Sequence, residues 1–152
     1  MYGDLFSGVG LDPADAIDAV FDEEHRDPVV LRNLTFYSVC EHHLLPFFGQ
    51  AHLAYIPSGR VAGISKLARS LEVAARRPQL QERLTSQWAD AVFTVLNPAG
   101  LVAEVEAEHL CMSMRGVRKP GSRMTTLAVR GDFDGVPFDS AGLLGLLGLL
   151  RG

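Results

Sequence analysis

Cys40-Glu41-His42-His43 is the stretch of this chain best equipped for chemistry. Cys40 and His43 form a C-x-x-H pair, and a thiolate and an imidazole on one short turn can grip the same metal ion. The chain holds only 2 cysteines. The second, Cys111, lies far downstream in His109-Leu110-Cys111. Two cysteines and one histidine make three ligands, the number a catalytic zinc site uses while leaving its fourth position to water; a structural site would want a fourth protein ligand. Taken alone the pattern is a weak signal, because cysteine is among the most buried residue types and two of them serve equally well as inert core residues.

Three further stretches could assist. In Gly63-Ile64-Ser65-Lys66-Leu67-Ala68-Arg69, Lys66 and Arg69 are three apart and so adjacent on a helix surface. Ser65 could cap there, and a helix start with added cations suits a phosphate, although a solvated basic face is the commoner meaning of such a pair. Gln81-Glu82 places an amide beside a carboxylate, a pairing able to read a guanine edge; ordinary acidic placement in a first helical turn is the plainer reading. If Leu101 to Met114 is one strand, its period of two puts His109 and Cys111, and Arg115 beyond them, on one face, with Glu104, Glu106 and Glu108 on the other. A ligand, a candidate acid–base and a cation then share a face. The glutamates read as a solvated or subunit-facing comb, Arg76-Arg77 as a solvated basic face, His25 and His52 as surface or structural, and Trp88 and the methionines as packing.

These residues need elements to position them. Asp12-Pro13 predicts a short helix through Phe21, with Pro13 suited to its first turn. Val29 to Val39, rich in β-branched and aromatic residues, predicts a strand that runs into the Cys-Glu-His-His turn, with Pro46 stopping any continuation. Phe48 to Ile56 predicts a second strand. From Gly63 to Arg77 the apolar spacing becomes helical, Pro78 ends that helix, and a second runs from Gln79 to about Leu96. Asn97-Pro98-Ala99-Gly100 breaks it. Strands over Leu101 to Met114 and Ser122 to Phe133 follow and pair as a hairpin. The order strand, strand, helix, helix, strand, strand excludes a parallel βαβ topology. It predicts an α+β fold, a four-stranded antiparallel sheet with a helix pair on one face. Such a sheet leaves edges and a face that copies of the chain would cover as a homo-oligomer.

Composition sets the bounds. With 152 residues, 47% hydrophobic and 21% charged, the chain is globular and most simply one domain. It divides into a short N-terminal segment 1–28, a body 29–133 and a tail 134–152, for which a short helix is predicted. A net charge of −4 argues against a nucleic-acid partner. Two cysteines are too few for a disulfide framework and favour a reducing compartment. Met1 to Gly10 carries no basic segment followed by an apolar one, and the apolar run Ala141 to Leu150 is shorter than the roughly 18 residues a membrane span needs. No signal peptide and no membrane association are expected, and the location expected is cytoplasmic.

Together, Phe36-Tyr37-Ser38-Val39-Cys40-Glu41-His42-His43-Leu44-Leu45-Pro46-Phe47, the segment Gly63 to Arg69, Gln81-Glu82-Arg83-Leu84-Thr85, and His109-Leu110-Cys111-Met112 followed by Arg115-Gly116-Val117 closely resemble GTP cyclohydrolase I. The resemblance runs from about Val29 to Phe133. It implies the tunnelling fold, in which such sheets assemble into barrels, usually as decamers of two stacked pentamers with active sites between subunits. It implies Cys40, His43 and Cys111 as ligands of Zn2+, and His42 and His109 as proton-transfer histidines. Glu82 and Gln81 would hold the guanine, Lys66, Arg69 and Arg115 the triphosphate, and Ser65 would lie near the ribose. The implied reaction converts GTP to 7,8-dihydroneopterin triphosphate and formate, opening pterin and tetrahydrofolate-type biosynthesis. Zinc suits it, since the metal brings the pKa of bound water from ~16 toward ~7. Family members usually carry a longer N-terminal helical region, and the leucines around Gly142, Gly145 and Gly148 depart from a more polar ending. These departures fit a divergent paralogue serving specialised pterin or deazapurine metabolism. The same fold could also carry a non-catalytic purine or pterin binder, or a nitrile reductase with a cysteine nucleophile.

Overall fold

The computed structural model describes residues 1–132, 145 and 148–150. In chain order the elements are α1 (Tyr2–Leu5), a 3-10 turn (Pro13–Ala16), β1 (Val20–Asp22), β2 (Val29–Cys40), β3 (Pro46–Ile56), β4 (Arg60–Ala62), α2 (Ile64–Ala75), β5 (Pro78–Gln79), α3 (Gln81–Leu96), β6 (Gly100–His109), α4 (Leu110–Ser113) and β7 (Met124–Gly131).

The main sheet has the order β5-β2-β3-β6-β7, and β1 with β4 forms a separate two-stranded ribbon. β2, β3, β6 and β7 are the antiparallel set expected from sequence. The two-residue β5 adds a parallel edge that sequence reasoning did not foresee, pairing Cys40 with Gln79. Alternation decides what each strand buries. Phe36 of β2, Phe47, Leu53 and Tyr55 of β3, and Leu101, Ala103 and Val105 of β6 turn toward the helices and are buried. α2 answers with Leu67, Leu71, Ala74 and Ala75, and α3 with Leu84, Trp88, Val92 and Leu96, each set at helical spacing. Trp88 is buried and its indole N–H donates to the Leu67 carbonyl at 3.2 Å, tying α3 to α2.

Several sequence expectations need correction. The helix expected from Asp12 to Phe21 is only a 3-10 turn, capped by the Asp12 side chain, after which Val20–Asp22 pairs with β4. Pro46 does not stop a strand but starts β3, a position where its missing N–H costs nothing. The strand expected to reach Met114 ends at His109, and Leu110–Ser113 is a helical turn. Ser65 does not cap α2; Gly63 is the N-cap, and no side chain bonds there. Arg76 and Arg77 are not an idle basic face. Arg77 donates to the carbonyls of Gly8 and Leu11, both at 2.8 Å, and Arg76 donates to that of Asp4 at 3.0 Å, so the pair clamps the leading segment. Met112 and Met114 are exposed, not packed. Glu104 is buried, and Glu106 pairs with Arg123, so the glutamate comb is not simply solvated. Most of the predicted tail helix lies outside the described residues; of that segment, Leu150 is buried against Ala54, Ile56 and Val102 on the sheet face away from α2 and α3.

Gly49 marks the tightest strand contact. A Cβ there would stand 1.9 Å from the Glu106 carbonyl oxygen. Gly49→Ala therefore forces β3 away from β6, and urea unfolding is expected to show a loss of about 1–3 kcal/mol. A variant of wild-type stability would show that the two strands are not packed this closely.

Candidate metal centre and its surroundings

The antiparallel register brings the ends of β2, β3 and β6 together. Val39 pairs with Pro46, and Phe47 pairs with His109. Between Cys40 and Leu45 the chain reverses in a tight turn, with the Cys40 N–H donating to the Leu45 carbonyl at 2.9 Å and the Leu44 N–H to the Cys40 carbonyl at 2.8 Å. Leu44 takes a positive φ of 54° to close it. This turn carries Glu41, His42 and His43. From β5 the Gln79 carbonyl accepts from the Glu41 N–H at 3.0 Å, and Arg83 of α3 makes a two-pronged ion pair with the Glu41 carboxylate at 2.6 and 3.2 Å. The turn is thus held from two sides.

Cys111 reaches the same place by a route other than a continued strand. The chain turns helical after His109, and the Cys40 and Cys111 sulfurs and a His43 ring nitrogen lie within 4.8 Å of one another. This is the one such cluster of three or more potential ligands among the described residues. Cys40 is buried, Cys111 half-buried and His43 exposed, so the cluster sits at the surface end of the core, open to a substrate. Two sulfurs and an imidazole this close suit a borderline-soft divalent cation such as zinc. Burial, and then the neighbouring Cys40 sulfur, push the Cys111 thiol above its ordinary pKa. Arg115 opposes that shift, which places its charge near enough to act on the cluster.

His109 occupies the last position of β6, half-buried. Its ring lies flat on the buried Phe47 ring, with centroids 4.5 Å apart and planes 1° from parallel. An imidazole nitrogen, Nε2, is 2.7 Å from Oε1 of Gln81. Burial holds the His109 pKa below its ordinary value, and the Glu82 carboxylate pulls it partly back. Glu82 is therefore near His109, with its side chain exposed at the start of α3.

Gln81 turns inward, where sequence had suggested a guanine edge. It is 1% exposed, and its Nε2 donates to the carbonyls of Val105 at 3.0 Å and Met124 at 2.9 Å. Lys66 is engaged as well, its ammonium 2.7 Å from Asp18 just ahead of β1. The contact with Lys66 holds the Asp18 carboxyl below the usual carboxylate range, with Arg69 adding to the effect. Ser65 and Arg69 are exposed on the first turns of α2, and Arg115 and His42 are exposed beside the cluster's two turns. The structure thus brings the ligand set, His109, Glu82, Gln81 and Arg115 to one end of the sheet, while Ser65, Lys66 and Arg69 form a second group on α2. Sequence reasoning missed Phe47, Asp18, the Glu41–Arg83 pair, and Thr126, whose Oγ1 lies 3.1 Å from Gln81 Nε2. Phe47 carried a usable signal, being the first core-facing position after the Cys40–Leu45 turn.

Comparison with known proteins agrees with this arrangement. A family model described as GTP cyclohydrolase I matches residues 1–143. GTP cyclohydrolase 1 of Streptococcus pyogenes serotype M18 (strain MGAS8232) is 59% identical over 132 residues, 86% of this chain and 68% of that protein. The protein of the same name from Streptococcus pyogenes serotype M3 (strain ATCC BAA-595 / MGAS315) is 60% identical over the same coverage. Among solved structures, the apo form of the archaeosine synthase QueF-Like aligns with a TM-score of 0.54 at 21% identity, covering 69% of this chain and 94% of that one. That likeness is one of fold, the tunnelling fold, and agrees with the antiparallel sheet and paired helices seen here. A sheet that gathers two cysteines and a histidine at the end of β2 and β6, and a match spanning nearly the whole sequence, lead to one conclusion: the chain belongs to the GTP cyclohydrolase I family.

Proposed function

We propose that this chain is a zinc-dependent GTP cyclohydrolase, which hydrolyses and rearranges GTP to 7,8-dihydroneopterin triphosphate and formate at the entry to pterin and folate-type biosynthesis. The observation that carries the reading is the convergence of Cys40, His43 and Cys111 to within 4.8 Å, two residues from a half-buried histidine. Those three residues would hold the zinc. When bound, the ion supplies a Lewis acid that makes water a usable nucleophile near neutral pH.

The remaining work falls to other side chains. Glu82, an exposed carboxylate close to His109, accepts from the ring N–H and exocyclic amine of guanine and so fixes the base beside the metal centre. Opening the five-membered ring and releasing formate require protons to be delivered and removed. His109 and His42, on opposite turns of the site, are the imidazoles placed to carry them, imidazole being the side chain suited to proton transfer near neutral pH. Burial holds the His109 pKa below its ordinary value, a direction that favours the neutral ring. Lys66, Arg69 and Arg115 take the triphosphate and Ser65 lies by the ribose; these contacts make no bonds but orient the reacting base. Lys66 must first release Asp18.

Ser65, Arg69, Glu82 and Arg115 are exposed in a single chain, as suits a site completed by another copy. β7 at one margin of the sheet, and most of β2 beyond the two-residue β5 at the other, leave backbone edges for such copies. We propose a homo-oligomer, a decamer of two pentamers, working in the cytoplasm. No helix among the described residues is long and apolar enough to cross a membrane.

Incubation of zinc-loaded protein with GTP is expected to release formate and develop pterin ultraviolet absorbance; protein that binds GTP but never turns it over would be a purine binder and not an enzyme. Cys111→Ser is expected to reduce bound zinc well below one ion per chain by elemental analysis and to abolish turnover while keeping the far-ultraviolet circular dichroism of the parent. Retained stoichiometric zinc in that variant would remove Cys111 from the ligand set. Asp18→Asn is expected to lower KM for GTP by about two- to fivefold with kcat unchanged, the scale of an exposed ion pair. A raised KM would show instead that Asp18 aids binding.

A further inference from the structure

We propose that Gln81 is a positioning residue that fixes His109 as the Nε2–H tautomer and leaves Nδ1 as the ring nitrogen without hydrogen. The proposal deepens the cyclohydrolase reading and rests on it for any part in turnover; the tautomer itself follows from hydrogen bonding alone. Gln81 is almost wholly enclosed between α3, β6 and β7. Its side-chain nitrogen lies 3.0 Å from the Val105 carbonyl, 2.9 Å from the Met124 carbonyl and 3.1 Å from Thr126 Oγ1. Carbonyl oxygens only accept, so the amide face turned to them must be the NH2. A flipped amide would set its oxygen against two carbonyl oxygens in a buried site, a costly repulsion.

The hydroxyl neighbours agree on direction. Thr85 donates to the Gln81 main-chain carbonyl at 2.8 Å, so the 2.7 Å contact between Thr85 Oγ1 and Thr126 Oγ1 is donated by Thr126. Thr126 has then used its proton and meets the Gln81 amide as an acceptor. The amide nitrogen shares its two hydrogens among these three acceptors, and the Gln81 oxygen faces His109 Nε2 at 2.7 Å with only lone pairs. Nε2 must carry hydrogen. Stacking on Phe47 holds the ring in plane for that bond. In the neutral imidazole Nδ1 is bare. Nδ1 is then the lone-pair nitrogen of the ring, while the Nε2–H stays with Gln81.

The test is nitrogen-15 spectroscopy on zinc-loaded protein with labelled histidine, His109 being assigned by its loss in His109→Asn. The wild type is expected to show a protonated Nε2 and a bare Nδ1 in the neutral ring, and Gln81→Leu a mixture of tautomers. With GTP, Gln81→Leu is expected to lose tenfold or more in kcat with KM within about twofold. A wild-type spectrum with hydrogen on Nδ1 overturns the proposal without recourse to any variant. So does a folded Gln81→Leu protein with undiminished kcat. Wild-type protein that turns over no GTP would overturn the parent reading instead, and the spectrum would still decide the position of the proton.

Discussion

The pairing of β3 with β6 is the constraint on which the rest depends. Phe47 opposite His109 sets the level at which two chain reversals meet, one after β2 and one after β6. Because side chains alternate with period two, a slip of one residue would turn Phe47 and His109 outward and carry the charged face of β6 into the core. The absence of a side chain at Gly49, two residues along β3, lets the strands approach closely enough to keep that level. Cys40, His43 and Cys111 are thus placed by backbone hydrogen bonds and by apolar packing under α2 and α3, and not by any attraction among themselves.

The site built on that register has two layers with different physics. Beneath, Gln81, Thr85, Thr126 and His109 form a closed polar chain inside an apolar surround, every member with a partner. Such networks hold one geometry because breaking any bond strands a buried polar group. Above, His43, Glu82, Arg69 and Arg115 are open to solvent. Chemistry needs the first layer to be rigid and the second to be accessible, and the polarity of α3 changes accordingly between Gln81 and Glu82, adjacent residues facing opposite ways.

Much of this was legible in the sequence. Periodicity found the two long helices and four principal strands because those segments each bury one face, which leaves a clear pattern. The ligand trio was found from residue type, since Cys40 and Cys111 had no competitors. What was not legible came from contacts between distant segments. Nothing local says that Arg77 will clamp Gly8 and Leu11, or that Asp18 will find Lys66. The change from strand to helical turn at Leu110 was hidden because Leu110-Cys111-Met112 suits either conformation. Gln81 reads as a ligand for the base because a side-chain amide can serve there; its burial and its main-chain partners leave no local mark in the sequence.

The two ion pairs at the rim, Glu41 with Arg83 and Asp18 with Lys66, differ from the buried network in one practical respect. They lie where mobile counterions can reach, and at roughly physiological ionic strength the screening length is about 8 Å. Added electrolyte therefore weakens these two surface pairs while leaving the imidazole and its amide partner undisturbed. Dissolved salt acts on the outer contacts of the loops and α2, and the bond between His109 and Gln81 is insulated from it.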